Sequence, residues 1–230
     1  MNDTLFQISA LIIPLVLAIV FHEVAHGWTA RALGDPTAAQ LKRLSLNPFR
    51  HVDPVGTILV PGALALAKGP VFGWARPVPV VKSRLRNPRF GMMAVAAAGP
   101  GSNLALAAIG AMLLGLVFNG VQLGQEPAGM ARFVTLNLVN FITINVFLAL
   151  FNLLPIPPFD GSHIIEGLLP ESAARQYERL RPLGFPLVLL LIVVLPWAIP
   201  AFDPVGELVV PPVRWLTGQY LHLAAWFAGG

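Results

Sequence analysis

Two histidines and a glutamate early in the chain have the spacing of a metal-binding motif. His22 and His26 are four positions apart and Glu23 follows the first of them, which makes an HExxH pattern. On an α-helix, residues four apart lie on one face, so both imidazoles can bind one metal ion while the carboxylate stands beside it. This arrangement is typical of zinc hydrolases.

The alternative interpretation of these residues is a polar pair buried inside a helix bundle. Three ionisable side chains so close together in a hydrophobic segment are costly unless they face a cavity, a partner or a metal ion. We therefore expect a metal site around His22, Glu23 and His26.

The composition indicates an integral membrane protein. The chain is 56% hydrophobic and only 11% charged, whereas soluble proteins are about 25% charged. There is no cysteine, so a zinc site here needs histidine and carboxylate ligands. The net charge of +4 does not indicate nucleic-acid binding, because the basic side chains fall between apolar segments and act as orientation signals.

Long apolar segments predict an all-α polytopic membrane protein that forms one domain over residues 1–230. About 20 apolar residues cross a hydrocarbon core of about 30 Å. The four predicted spans are residues 5–33, 90–119, 133–154 and 184–200. We place the catalytic core of the domain at about residues 5–165 and its C-terminal membrane segments at about residues 184–230.

Four shorter segments receive weaker predictions. Residues 41–46 alternate like a strand, and residues 55–67 are too short to span and are interrupted by Pro61 and Gly62. We expect residues 55–67 to form a re-entrant or strand-like membrane segment. Residues 166–181 predict an amphipathic helix, and the tail from residue 205 predicts an interfacial helix.

A catalytic zinc ion usually has three protein ligands, so the motif needs one more. The acidic and histidine side chains considered for this role are Asp35, His51, Asp53, Asp160, His163 and Glu166. We choose Asp160 because Pro155, Pro157 and Pro158 precede it and unwind the end of a span. Irregular backbone at membrane depth is tolerated only where it is buried in protein or lines a wet cavity.

Topology gives an independent argument for Asp160. Basic residues follow the first span, namely Arg31, Lys42, Arg43 and Arg50. The positive-inside rule makes that end cytoplasmic. A second basic loop, residues 68–89, indicates that residues 55–67 return to the same side. With that topology Asp160 emerges at the end of the bundle where His22 and His26 lie.

The chain resembles the site-2 protease family of intramembrane zinc metalloproteases, in its short form without a PDZ or CBS domain. The matching stretches are HEVAH, LNPFRHVDPVGTIL, FGWARPVPV, AAAGPGSN and NLLPIPPFDG. The resemblance implies one Zn²⁺ per chain held by His22, His26 and Asp160, with Glu23 activating a water molecule for peptide-bond hydrolysis.

The resemblance also implies roles for two asparagines. Asn152 matches the family asparagine that contacts the substrate or the oxyanion, and Asn103 matches the polar position of a G-P-x-x-N stretch. A competing role for Asn103 is hydrogen bonding between helices of the bundle. The expected partners are transmembrane protein substrates in the lipid bilayer, without nucleic acid, and the sequence specifies no oligomeric state.

We expect a bacterial or archaeal cell membrane, with the site toward the cytoplasm. Residues 41–46 and 55–67 are expected to pair with extended substrate by strand addition. The alternative functions are a metal transporter and a catalytically silent zinc-binding scaffold.

Overall fold

The computed structural model describes residues 3–66, 73–119, 129–199 and 201–229. Within these ranges the chain is helical and has no β-strand. The helices are α1 (Asp3–Ala32), α2 (Thr37–Gln40), α3 (Val60–Leu66), α4 (Pro88–Asn119), α5 (Gly129–Asn152), α6 (Asp160–Leu168), α7 (Glu171–Glu178), α8 (Arg181–Leu189), α9 (Leu195–Ala198) and α10 (Val210–Phe227). Residues 67–72 and Pro200, which belong to predicted segments, lie outside the described residues.

Four helices of the described chain are long and apolar enough to cross a membrane. They cover Phe6–Ala32, Pro88–Asn119, Gly129–Asn152 and Arg181–Ala198. The last combines α8 and α9 through a π-helical turn at Leu190–Val194. The prediction of a polytopic all-α protein is confirmed, and the chain is a multi-pass integral membrane protein.

Helix α4 lies at the centre of the bundle and packs against α1, α5, α6 and α10. Small residues line its contact with α5: Ala111 is fully buried, and a Cβ on Gly110 would lie 3.0 Å from the Phe141 ring. Close helix packing and hydrogen bonds hold membrane bundles together, since lipid tails are as apolar as the side chains. One such bond joins α5 to α1, where Asn140 Nδ2 donates to the Ala10 carbonyl at 2.9 Å.

The segment predicted as re-entrant or strand-like is helical. A π-helical turn, Pro54–Leu59, leads directly into α3. The Asp53 carboxylate caps this turn by accepting from the backbone N–H groups of Val55 and Gly56. At about 1.5 Å per residue the whole segment is about 20 Å long, too short to cross a core of about 30 Å.

The strand predicted for residues 41–46 is wrong. The N–H groups of Leu41, Lys42 and Arg43 donate back to carbonyls of α2 and its flank, so they are not free for a strand ladder. Lys42 has a φ of 54°, which turns the chain. Leu41 and Leu46 are both exposed, so the alternation marks no buried face. Strand addition of a substrate to this segment or to the helical residues 54–66 is therefore not supported.

The single amphipathic helix predicted for residues 166–181 is wrong, because this segment contains the end of α6, the whole of α7 and the first residue of α8. Pro170 separates α6 from α7, because proline has no N–H to continue the helix. The C-terminal tail is also helical, and α10 packs lengthwise on the bundle. Val213 and Ala224 are buried in the core shared with α4 and α5, and Tyr220 Oη donates to the Leu104 carbonyl at 3.0 Å. Helix α10 is not among the four apolar spans.

An extended strap, residues 73–81, crosses the end of α1 and is held mainly through its backbone. Trp74 N–H donates to the Gly56 carbonyl, and Arg76 N–H donates to the His51 carbonyl. Val81 N–H donates to Asp35 Oδ2 at 2.6 Å. Burial alone raises the pKa of Asp35, but hydrogen bonds from Thr37 and from this N–H outweigh it and lower that pKa below its usual value.

The absence of native cysteine makes the topology directly testable. Cysteines introduced at the exposed positions Ser83 and Ser172 should react with a membrane-impermeant maleimide from one side of sealed vesicles. Asn119→Cys, at the other end of α4, should react only from the opposite side. Labelling of all three positions from one side would contradict this arrangement.

Candidate metal centre

Helix α1 carries the two histidines into the interior of the bundle. His22 and His26 are 7% and 9% exposed, and their rings meet edge to face with centroids 4.6 Å apart. The helical repeat brings their Nε2 atoms to 3.0 Å from each other. Both ring nitrogens therefore face one point, as the HExxH spacing predicts.

Asp160 is the third side chain at this point. Helix α5 ends at Asn152, and an irregular segment of seven residues leads to Asp160, the first residue of α6. Asp160 Oδ2 lies 3.1 Å from His22 Nε2 and 3.3 Å from His26 Nε2. One ligand atom from each of the three residues lies within 4.8 Å of the others.

The hydrogen bonds behind the histidines fix which nitrogen carries the proton. His26 Nδ1 lies 2.7 Å from the Val95 carbonyl, which can only accept, so Nδ1–H is the donor. His22 Nδ1 lies 2.6 Å from Asn103 Oδ1. In the neutral imidazoles both Nε2 atoms then present lone pairs toward Asp160. Proton positions fixed in this way are common behind metal ligands.

Asn103 belongs to a buried chain of amides between three helices. Its Nδ2 donates to the Ala18 carbonyl at 3.1 Å and to Asn145 Oδ1 at 2.7 Å. Asn145 Nδ2 donates in turn to the Phe141 carbonyl. Because Ala18 offers only an acceptor, the amide of Asn103 must turn its oxygen toward His22. This geometry favours the helix-to-helix role over donation to an oxyanion.

The three ligand atoms fit a zinc ion. Asp160 Oδ2 is buried, and in the neutral imidazoles the two nitrogens that face it present lone pairs. Three buried acceptors pointing at one another are unfavourable unless a cation lies between them. Zinc bonds of about 2.1 Å in a tetrahedron separate ligand atoms by about 3.4 Å, close to the separations here. Two imidazoles and one carboxylate also leave a fourth position for water.

Glu23 stands beside the centre and is oriented by the strap. Its Oε2 accepts from the N–H of Val78 at 2.7 Å. Val78 lies between Pro77 and Pro79, and neither proline has a backbone N–H to donate. The carboxylate is partly exposed, so one oxygen is fixed while the side chain keeps access to water.

The backbone of α4 closes the other side of the centre at Gly99, a residue that sequence reasoning missed. A Cβ at this position would lie 2.5 Å from His26 Nε2 and 2.6 Å from His22 Cε1. Only hydrogen fits there. The available signal was a glycine inside the helical AAAGPGSN stretch, where glycine is unfavourable without a packing reason.

A cluster of ion pairs anchors α6. The sequence pattern did not predict this cluster. Glu166, 7% exposed, accepts from Lys82 Nζ at 2.6 Å and from Arg181, which also contacts His163. Burial alone raises the pKa of Glu166, but Lys82 and Arg181 outweigh it and hold that pKa below its usual value. The charged carboxylate therefore ties α6, which begins with Asp160, to two other parts of the chain.

The remaining sequence candidates have other partners. Asp35 and Asp53 accept backbone N–H groups, and His51 Nε2 contacts the Ser45 carbonyl. Asn152 Nδ2 donates to the Leu148 carbonyl of its own helix at 2.9 Å, and no hydrogen bond joins Asn152 to the three ligands.

A membrane-embedded helix bundle with a His-His-Asp centre beside a glutamate defines the class of intramembrane zinc metalloproteases. Peptidase family M50 matches residues 121–195. The candidate zinc metalloprotease YwhC of Bacillus subtilis (strain 168) is 39% identical over 88% of this chain and 84% of its own length. The chain belongs to peptidase family M50, and the resemblance to site-2 proteases is confirmed.

Two further relatives carry the same kind of name. The candidate zinc metalloprotease MJ0611 of Methanocaldococcus jannaschii is 33% identical over 70% of this chain and 73% of its own length. The candidate zinc metalloprotease Rip2 of Mycolicibacterium smegmatis is 27% identical over 77% of this chain and 64% of its own length. No solved structure matches the chain. The protein is an intramembrane zinc metalloprotease with zinc as its cofactor.

Gly99→Ala should weaken zinc binding by about tenfold or more, because the added methyl group displaces both imidazoles. Gly101→Ala is the matched control: its Cβ meets nothing within 4 Å, and alanine favours a helix over glycine. Zinc content after dialysis against a graded chelator would measure the difference. Equal zinc retention by the two variants would contradict the close approach at Gly99.

Proposed function

We propose that His22, His26 and Asp160 hold the single Zn²⁺ of this metalloprotease and that Glu23 is its general base. The observation that carries this assignment is the convergence of three buried lone-pair atoms within 4.8 Å of one another. Each imidazole uses its Nδ1 proton elsewhere. The position of Asp160 Oδ2, which lies 3.1 Å and 3.3 Å from the two Nε2 atoms, supports the same assignment.

Zinc, when bound, lowers the pKa of a water molecule toward about 7 and polarises the scissile carbonyl. Glu23 Oε2 is occupied by the Val78 N–H, so Oε1 is the oxygen that takes a proton from the attacking water. The water oxygen bonds to the carbonyl carbon. As the C–N bond breaks, Oε1 returns the proton to the leaving nitrogen.

The substrates on this proposal are transmembrane segments of other proteins that reach the site through the bilayer. His22 lies 16 residues after Phe6, about 24 Å along α1 and near one end of the span. A substrate helix hides its peptide bonds in its own hydrogen bonds, so the cleaved stretch must unwind first. The irregular backbone before Asp160 supports a wet cavity at this depth.

The active-site end of the bundle faces the cytoplasm on this proposal. Arg31 in the last turn of α1, together with Lys42, Arg43 and Arg50 after it, supplies the positive charge of a cytoplasmic loop. The relatives come from two bacteria and one archaeon, which supports a bacterial or archaeal cell membrane. A metal transporter is not favoured, because the described residues contain no second ligand cluster leading across the membrane.

The two asparagines receive different roles. Asn103 holds the imidazole of His22 through Nδ1 and is a positioning residue. Asn152 lies at the end of α5, eight residues before Asp160, and on this proposal its amide turns to the substrate or the oxyanion. The bond from Asn152 to the Leu148 carbonyl leaves the second N–H of that amide available.

Glu23→Gln should lower cleavage of a transmembrane substrate by at least about 10² while leaving zinc content near one per chain. Glutamine keeps an acceptor for the Val78 N–H but cannot take the proton of water. Glu178→Gln, at an exposed position of α7, is the control and should cleave normally. Cleavage retained by Glu23→Gln would rule out this mechanism.

Asn152→Ala should lower the cleavage rate by about 10² to 10³ without loss of zinc if its amide stabilises the oxyanion. Asn137→Ala is a matched control, because Asn137 Nδ2 makes the same bond to a carbonyl four residues back in α5. Both variants lose one such bond. A similar rate for the two variants would assign Asn152 a structural role only.

A further inference from the structure

A basic cavity lies beside the strap. Its volume is about 440 Å³. We call it the arginine pocket, and it is lined by Arg43, Arg50, Arg76, Leu41, Phe49, Pro77 and Pro79. None of these side chains belongs to the metal centre. The pocket is therefore a feature that the proteolytic mechanism leaves unused.

The three guanidinium groups share this space without a carboxylate partner. In the described chain no Asp or Glu oxygen lies within 4.0 Å of Arg43, Arg50 or Arg76. Elsewhere on the same side of the protein, Lys82 and Arg181 both pair with Glu166. The pocket thus gathers three arginines that have no carboxylate within this distance.

Arg43 carries the clearest sign of a missing anion. It is 9% exposed, and its Nη2 donates to the carbonyls of Arg76 at 2.8 Å and Pro77 at 3.4 Å. Burial and then the charge of Arg76 lower the pKa of the Arg43 guanidinium, and the charge of Glu23 offsets only part of this effect. A buried charge whose hydrogen-bond acceptors are neutral carbonyls is costly, and an anion bound beside it would offset that cost.

The rim of the pocket is apolar and exposed. Leu41 and Phe49 are 60% and 84% exposed, which is unfavourable in water but suits the boundary between headgroups and acyl chains. Trp28, near the same end of α1, is 56% exposed, and tryptophan is enriched at membrane interfaces. The pocket therefore lies at headgroup level, with arginines inside and hydrophobic side chains facing the lipid.

We propose that the arginine pocket binds the phosphate of an anionic phospholipid headgroup, with Leu41 and Phe49 against its acyl chains. Guanidinium groups bind phosphate oxygens through paired N–H donors. Basic pockets at the cytoplasmic ends of membrane helices suit anionic headgroups. The bound phosphate would lie beside Pro77 and Pro79, which flank the Val78 N–H that orients Glu23. This site is separate from the metal centre, and lipid binding does not require proteolysis.

The test uses the full chain in phosphatidylcholine micelles titrated with phosphatidylglycerol, with the unfolding temperature as readout. The lipid should raise the unfolding temperature in a saturable manner. Arg50→Gln combined with Arg76→Gln should weaken its apparent affinity about 25-fold, about fivefold for each arginine. Arg43 is kept, because it supports the strap.

The control combines Arg86→Gln with Arg179→Gln, two exposed positions outside the pocket. It removes the same charge and should keep the affinity of the unaltered protein. An equal loss in the control would overturn the pocket, because general surface attraction would then explain the effect. Unchanged affinity in the Arg50 and Arg76 variant would overturn it as well.

Two further arms separate a lipid from a soluble anion. Phe49→Ser should weaken phosphatidylglycerol binding, because the acyl contact is lost. Inorganic phosphate in phosphatidylcholine micelles should raise the unfolding temperature only at far higher concentration. Equal protection by inorganic phosphate, or full lipid affinity in Phe49→Ser, would overturn the lipid assignment.

Discussion

Three lone pairs directed at one buried point constrain the rest of this structure. The Val95 carbonyl and Asn103 Oδ1 accept hydrogen bonds from the Nδ1 atoms of the two histidines, so in the neutral imidazoles both Nε2 atoms direct lone pairs at Asp160 Oδ2. In a membrane interior, repulsion among such acceptors is poorly screened. A cation resolves it, which makes metal binding part of the stability of the bundle as well as of its chemistry.

The architecture of the bundle follows from bringing these atoms together. Helix α1 supplies two of the proposed ligands from one face, whereas the third comes from a different helix and needs the chain to return to the same end. Helix α4 supports both sides, because its Gly99 leaves room for the imidazoles while Asn103 orients one of them. The irregular stretch after α5 exists at a depth where broken helices are normally excluded, and it delivers Asp160 to the centre.

Most of the centre was predictable from the sequence, for identifiable physical reasons. Four-residue spacing fixes the relation of His22 and His26 on any helix, and the prolines before Asp160 mark where a span must unwind. The strand predicted for residues 41–46 is wrong. An alternating hydrophobic pattern indicates a strand only where the backbone N–H groups can pair with a neighbouring strand, and here three of them bond to carbonyls of α2. The amide chain through Asn145 depends on how helices distant in sequence pack, which no local pattern encodes, and the glycine at position 99 signals close packing without showing what it packs against.

Segment 73–84 touches both halves of the catalytic apparatus. The N–H of Val78 orients Glu23, and Lys82 pairs with Glu166 on the helix that begins with Asp160. The proposed base and the proposed third ligand, which are far apart in the sequence, thus share one mechanical support. A displacement of this segment would disturb the orientation of Glu23 and the position of α6 together.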